Sequence, residues 1–471
     1  MTNAAARVLD TRLLLAIIAA GIMSFSGVVV ETAMNVTFPT LMHEFSIGTS
    51  LVQWITTGYL LVLALIIPTS AYLKRRFATR TLFTTAIISF LAGTILSAWS
   101  PSFYVLLTGR LLQGIGTGIA LPLMFNIILE QVPGERLGFM IGVASLITAM
   151  APAVGPSLGG LIVSYFGWRM IFISLLPFLL LSAALGIKSI RQAGALEPEV
   201  RFNLPLYLLL IIGFSSLIFA TTLASSLGWL HSKVLALFFL CLAALTLFYR
   251  LSLKSDAPLL RIEIFRYTPY TLSTISLLLV GFICLGLGFL IPNYAQLVSG
   301  TSAFTAGCLL LPGCLLGAAL APISGRLLDK LGAQRPILLG NSSILLSVVC
   351  YSLYPGELTS LIFIVFYLFF AFGQGFSMGT IMTNGLSQLP ESLNADGNAA
   401  MNTLLQLAGA VGTAVISTIV ASAQAAEPNA LAHATMIGSR DGFYVLTLSA
   451  VIILCCSLKV FALIKRQHNA L

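Results

Sequence analysis

The chain has 471 residues, 58% of them hydrophobic and only 8% charged. A soluble globular domain carries roughly 25% charged residues, so a mean hydropathy of +1.01 excludes a water-facing surface over most of this chain. The net charge of +9 does not imply nucleic acid as a partner, because membrane proteins gather Lys and Arg in cytoplasmic loops, facing anionic headgroups.

A membrane-crossing helix needs about 20 apolar residues. Fourteen such runs follow one another: 12–42, 51–73, 81–99, 102–131, 137–165, 168–188, 203–224, 233–253, 268–298, 303–325, 335–354, 358–388, 399–424 and 441–464. The expected fold is therefore an all-α polytopic membrane protein. The first run has no small-residue cleavage site before polar sequence and reads as a retained span. With the N-terminus in the cytoplasm, twenty of the 24 Lys and Arg fall inside and three outside, while Arg110 lies within a span. An even number of spans puts both termini inside.

The first run also holds an acid. Glu31 stands in VVVETAMNVTFP, residues 28–39, with no ionisable side chain back to Arg12. A carboxylate there needs a partner, water or a proton. Ser24, Gly27, Glu31 and Asn35 share one helical face. The fourth run contains LLTGRLLQGIGTGIALP, residues 106–122, with Arg110, Gln113 and Thr117 on one face and Gly114 and Gly118 on another. An arginine cannot shed its charge and must be held by carboxylate, carbonyls or water; the competing reading is a structural arginine snorkelling to the outer interface. Glu130, at the cytoplasmic end of that run, reads as interfacial. The fifth run contains AMAPAVGPSLGGLI, residues 149–162, where Pro152 and Pro156 each remove a backbone donor. With Gly155, Gly159 and Gly160 they make a smooth, bent helix suited to a pivot between bundles.

An internal repeat is visible. SAYLKRRFATR at 70–80 corresponds to GRLLDKLGAQR at 325–335, and Gln113-Gly114 to Gln374-Gly375. Two related halves imply two six-helix bundles. The two remaining spans fall between them, giving an N-terminal bundle over 12–188, an insert with linkers over 189–266 and a C-terminal bundle over 267–466. The seven cysteines all lie in apolar segments without CxxC spacing, which indicates neither a disulfide framework nor a metal site. There is no P-loop, no GxSxG elbow and no His/Cys/acid cluster, so neither an enzyme nor an ATP-driven pump is expected.

GRLLQGIGTG, AVGPSLGG, ETAMNVTFP and GRLLDKLGAQR together resemble the major facilitator superfamily, in its fourteen-span drug:proton antiporter family. ETAMNV resembles the Gram-positive lincomycin-resistance-type exporters within it. The resemblance touches both halves. It implies a major facilitator fold in a bacterial cytoplasmic membrane, and alternating access that exports amphipathic or lipophilic compounds in exchange for protons. Glu31 and Arg110 would couple to protons. Pro152, Gly155, Pro156, Gly159 and Gly160 would form the antiporter hinge. Gly325, Asp329 and Arg335 would form a loop latch between helix ends. Polar residues in spans expected to approach the pore are Ser24, Asn35, Trp54, Tyr59, Gln113, Asn126, Asn293, Tyr294, Gln296, Gln374, Asn384, Asn402 and Gln406; Trp54 reads equally well as an interface anchor. The proton gradient would be the energy source, with no cofactor and no metal, and the protein is expected to be a monomer in the lipid bilayer.

Two departures from the family pattern matter. Val30 holds the place of the usual span-one acid, and the one-residue shift turns Glu31 by ~100° around the helix. The first loop carries Ser70 and Lys74 where the pattern has a glycine and an acid, so its latch should be weaker. Other readings are export of an endogenous metabolite such as a cyclic dinucleotide, proton-coupled peptide uptake, and a non-transporting membrane sensor or scaffold. An anionic cargo would want cationic cavity groups, and only Arg110 is available within a span.

Overall fold

The structure is a computed structural model describing residues 10–192, 196, 202–255, 259, 261–354, 358–390 and 393–469. Some side chains within helices, including those of Pro152 and Asp329, lie outside the described residues. Helix α1 (Thr11–Val36) starts on Asp10, whose carboxylate accepts the Leu13 amide at 2.7 Å, satisfying one donor of the first turn. It ends sooner than the run 12–42 suggests. The Thr37 hydroxyl donates to the Met34 carbonyl at 2.7 Å, and Pro39, which lacks an N–H, opens a separate helix α2 (Phe38–Phe45).

The second run is also broken. It comprises α3 (Thr49–Val52), α4 (Trp54–Ile66), a 3-10 turn over Ile67–Thr69 built on Pro68, and α5 (Ser70–Arg76). Then come α6 (Thr79–Ala98), α7 (Phe103–Gln131), α8 (Gly134–Phe166) and α9 (Arg169–Ser189). Helices α10 (Leu204–Leu227) and α11 (Ser232–Ser252) follow, and a 3-10 turn at Ile262–Arg266 leads to α12 (Thr268–Leu297). The run 303–325 divides before Pro312 into α13 (Ala303–Cys308) and α14 (Leu311–Leu331). The chain closes with α15 (Gln334–Leu353), α16 (Ser360–Leu386), α17 (Asn394–Ala426) and α18 (Leu431–Asn469).

Thirteen helices are long and apolar enough to cross a membrane among the described residues, counting Thr49–Thr69 as one. Helix α8 runs 33 residues, of which the described apolar part is Val154–Phe166. The expected major facilitator architecture is present. Helices α1, α4, α6, α7, α8 and α9 pack together, as do α12 and α14–α18. The halves repeat each other down to single glycines. A methyl on Gly114 would meet the Tyr59 carbonyl at 3.1 Å, and one on Gly375 the Gly317 carbonyl at 2.7 Å. Each glycine thus lets α7 or α16 ride on the backbone of α4 or α14.

The halves meet along α4 and α17, along α8 with α13 and α14, and along α1 and α12. Several of these contacts gather at the end opposite the basic loops. Gln296 donates to the Val36 carbonyl at 3.1 Å, Thr49 donates to Gln424 at 2.7 Å, and the Phe304 amide donates to Ser164 at 3.0 Å. Ser417 donates to the side chain of Gln53, both buried. Of the two central helices, α10 packs on both α4 and α17, and α11 packs on α10. Leu206, Leu210, Phe214 and Ile218 join Leu60 and Leu407 in one core, and Thr418 donates to the Thr221 carbonyl at 3.0 Å.

Candidate functional site: a buried carboxylate beside a sealed arginine

Glu31 sits on α1, 6% exposed. Its carboxylate makes no hydrogen bond or ion pair among the described residues, although it lies within electrostatic reach of Arg110 and Cys284. One turn further on, Asn35 accepts from the Thr56 hydroxyl at 2.8 Å, fixing α1 to α4. Asn35 also faces α12: its side-chain nitrogen would lie 3.7 Å from a methyl placed on Gly288.

Arg110 on α7 is fully buried, so the snorkelling reading fails. Its guanidinium lies over the Tyr59 ring, 4.3 Å from the centroid. Its Nε donates to the Ile55 carbonyl at 3.3 Å, and Nη1 donates to Gln113 Oε1 at 2.6 Å. Gln113 passes the chain on, donating to Thr94 at 2.8 Å, and Thr94 donates to the Phe90 carbonyl at 2.8 Å. Nη2 has no partner. The arginine is therefore held by an aromatic face and neutral acceptors, and it forms no ion pair with Glu31. The Glu31 carboxylate is thus tied into no ion pair among the described residues.

Tyr59 joins the two. Its hydroxyl donates to the Gly27 carbonyl at 3.0 Å and lies 2.8 Å from Thr117 Oγ1. Gly27 is required there, because a side chain would collide with Thr117. The neighbouring α8 uses small residues in the same way. A methyl on Gly159 would lie 2.8 Å from Ala33 Cβ, one on Gly155 would strike Thr32, and one on Gly160 would strike the Ala303 carbonyl. The expected hinge segment is thus wedged between α1 of its own half and α13 of the other.

The polar residues expected around the pore divide into several groups. Ser24 and Gln113 are sealed inside the first half; Gln113 is drawn in by Arg110, and the Ser24 hydroxyl has no partner among the described residues. Asn293 is buried and turns back to the Phe289 carbonyl at 2.8 Å. Tyr294 is buried at the far end of the second half, its ring 5.3 Å from that of Phe363. Asn384 lines a small space inside the second half with Ser273, Ser276 and Ser457. Gln296 serves the seam between halves, and Trp54 packs on Phe219 of α10 with rings 4.9 Å apart. Asn402 donates to the Asn398 carbonyl at 2.9 Å. Asn126 and Gln406 are half-buried.

Gln374 behaves unlike its repeat partner Gln113. It is half-buried and donates to Cys284 Sγ at 3.2 Å. The repeat places Ala371 where Arg110 stands in the first half, so no guanidinium draws Gln374 inward. A sulfur-bearing wall results. Cys284 lies within electrostatic reach of Glu31, Met378 is 3.9 Å from Gln374, and Cys314 is 3.4 Å from the Tyr367 hydroxyl. Periodicity marked these cysteines only as apolar. Their meeting needs three helices, α12, α14 and α16.

Of the expected loop latch, Gly325 stands with open space beside it and Arg335 is exposed. Asp329, like Pro152 of the hinge, lies outside the described residues. In the first half Lys74 instead pairs with Glu130, tying α5 to the end of α7. A second brace stands at the opposite end. Glu44 accepts from Trp168 Nε1 and from Arg169, each at 2.6 Å, while Arg169 also donates to the Ser100 carbonyl at 2.9 Å. Burial pushes the Glu44 carboxyl up, but these two donors and the Arg169 charge outweigh it and hold it below the usual range.

Comparison with known proteins places this geometry in a wider set. The family profile described as Major Facilitator Superfamily matches residues 15–413. Lincomycin resistance protein LmrB of Listeria monocytogenes is 35% identical over 451 residues, covering 94% of this chain and 96% of that one. The protein of the same name from Bacillus subtilis is 34% identical over 439 residues, 91% of each chain. A solved bacterial homologue of the human lysosomal transporter Spinster, inward-facing and unoccupied, matches with a TM-score of 0.69 at 15% identity, covering 96% of this chain and 98% of its own.

Proposed function

Because the chain belongs to the Major Facilitator Superfamily, we propose that it exports amphipathic or lipophilic drug-like compounds in exchange for protons, by alternating access. The drug-resistance relatives support this class of cargo. The observation that carries proton coupling is Glu31: a carboxylate buried inside a spanning helix, unpaired, beside an arginine already held by Tyr59 and Gln113. Intramembrane ionisable groups of this kind mark ion pathways.

In the proposed cycle Glu31 takes a proton while the cavity opens outward and releases it while the cavity opens inward. The ionised form then favours cargo binding or the next switch. Gln374 and its sulfur neighbours offer a polarisable surface to the cargo across the cavity. Counting α8, fourteen helices cross the plasma membrane of a bacterium. Both termini lie in the cytoplasm, where the basic loops meet anionic lipid. The working unit is a monomer of two bundles with α10 and α11 between them.

The sealed Arg110 argues against an anionic metabolite as cargo, since it is 0% exposed and offers no donor to a cavity ligand. Glu31→Gln reconstituted in liposomes should lose uphill, proton-driven dye export and keep part of its cargo binding. Export at the wild-type rate by that variant under a pH gradient would refute the assignment. A dye panel including ethidium, in a transporter-deficient host with and without an uncoupler, tests cargo and energy source together.

A further inference from the structure

We propose that Tyr59 is the positioning residue of proton coupling: its ring occupies the Arg110 guanidinium and so keeps that charge from closing onto Glu31. The inference rests on Glu31 as the proton carrier.

Three contacts converge on this one buried side chain. The guanidinium stands 4.3 Å over its ring. The hydroxyl donates to the Gly27 carbonyl at 3.0 Å. The same hydroxyl lies 2.8 Å from Thr117 Oγ1, on the helix that carries Arg110. Gly27 is four residues before Glu31, so its carbonyl is the helical acceptor for the amide of Glu31 itself. Tyr59 therefore grips the turn of α1 that bears the acid and, with its other face, the charge that would neutralise it. A tyrosine ring has two side-chain torsions and is packed here to zero exposure, so it holds both at fixed distance.

The energetic argument follows from the partners of Arg110. A buried guanidinium without a carboxylate needs every acceptor it can reach, yet Nη2 is already unpartnered. Removing the aromatic face takes away a second source of negative potential. The nearest remaining source is Glu31. Among the described residues, Tyr59, Arg110 and Cys284, from α4, α7 and α12, are the ionisable groups within electrostatic reach of Glu31, and Cys314 of α14 and Tyr367 of α16 lie behind Cys284. Those on the described parts of α2, α8, α9 and α13 stand towards the helix ends. With the ring gone, Arg110 closes onto the carboxylate and holds it ionised.

The test is an infrared acid titration of the full chain in lipid, reading the protonated-carboxyl band that Glu31→Gln removes. Tyr59→Phe, which keeps the ring, should titrate within about twofold of wild type in proton affinity. Tyr59→Leu should bind the Glu31 proton at least about tenfold more weakly; Tyr59→Met, of similar reach, replaces it if the leucine variant does not assemble. A leucine or methionine variant that titrates like wild type overturns the proposal. So does a phenylalanine variant shifted as far as the aliphatic one, which would mean that the hydroxyl and not the ring matters. If Glu31→Gln removes no titrating band, the coupling role of Glu31 itself has failed, and that outcome is distinct from both.

Discussion

At one close crossing between the halves the contact is made by backbone, and adding a single methyl should prise it open. Gly307 of α13 lies against α8: a methyl there would collide with the Pro156 carbonyl and stand 3.3 Å from Ser157 Cα. Reciprocally, one on Gly160 would strike the Ala303 carbonyl and stand 2.9 Å from Phe304 Cα. The obstacle is main chain in a helix and cannot swing away. Overpacking of this kind costs about 1–3 kcal/mol. That cost falls only on the state in which α8 and α13 touch, so Gly307→Ala should shift the balance towards separated halves by roughly 5- to 150-fold. Spin labels at the exposed Tyr165 and Leu431, in a background lacking the seven native cysteines, would report the spacing by pulsed EPR. A growing long-distance population and slowed turnover are expected. An unchanged distance distribution with wild-type dye export would refute the idea that this contact belongs to one end of the transport cycle.

Two further outcomes follow from the braces at either end of the first half. The folded Glu44 carboxyl lies below its usual range, so its contribution is complete at neutral pH and is lost only as pH falls through that depressed value. With the other three tryptophans, Trp54, Trp99 and Trp229, replaced by Phe, the emission of Trp168 should change below the ordinary carboxylate range, and Glu44→Gln should abolish that step. Lys74 and Glu130 are partly exposed, 36% and 26%, so breaking the pair should cost at most about 1 kcal/mol. Thermal stability should fall slightly in Glu130→Lys and recover when Lys74→Glu is added; no recovery would show that the two charges do not act as a pair.

Lys74 finds its partner outside its own loop. The first loop lacks the acid of its repeat, which implied a weakened tie. The acid is supplied from elsewhere, by Glu130 at the end of α7, because α5 and α7 end at the same level of the bundle. Nothing in the spacing of residues 74 and 130 reveals this. The seams behave similarly. Gln53 and Ser417, polar residues within apolar runs, form a buried hydrogen bond between the halves.

What the chain settled by itself is what depends on local composition and period. Runs of apolar residues must cross the bilayer as helices, since no other open structure satisfies the backbone there. Glycine and proline at short intervals mark the close crossings and breaks, and a duplicated QG marks the two halves. Glu31 and Arg110 were legible as singular charges for the same reason. Their relation was not. Whether Arg110 met carboxylate, carbonyl or lipid depended on where Tyr59, Ile55 and Gln113 stand around it, which is set by the packing of α4 on α7. The same packing sealed Gln113, while the absence of an arginine at Ala371 left Gln374 turned towards Cys284. A periodic pattern tells which face of a helix a residue is on; only the assembled bundle decides what that face meets.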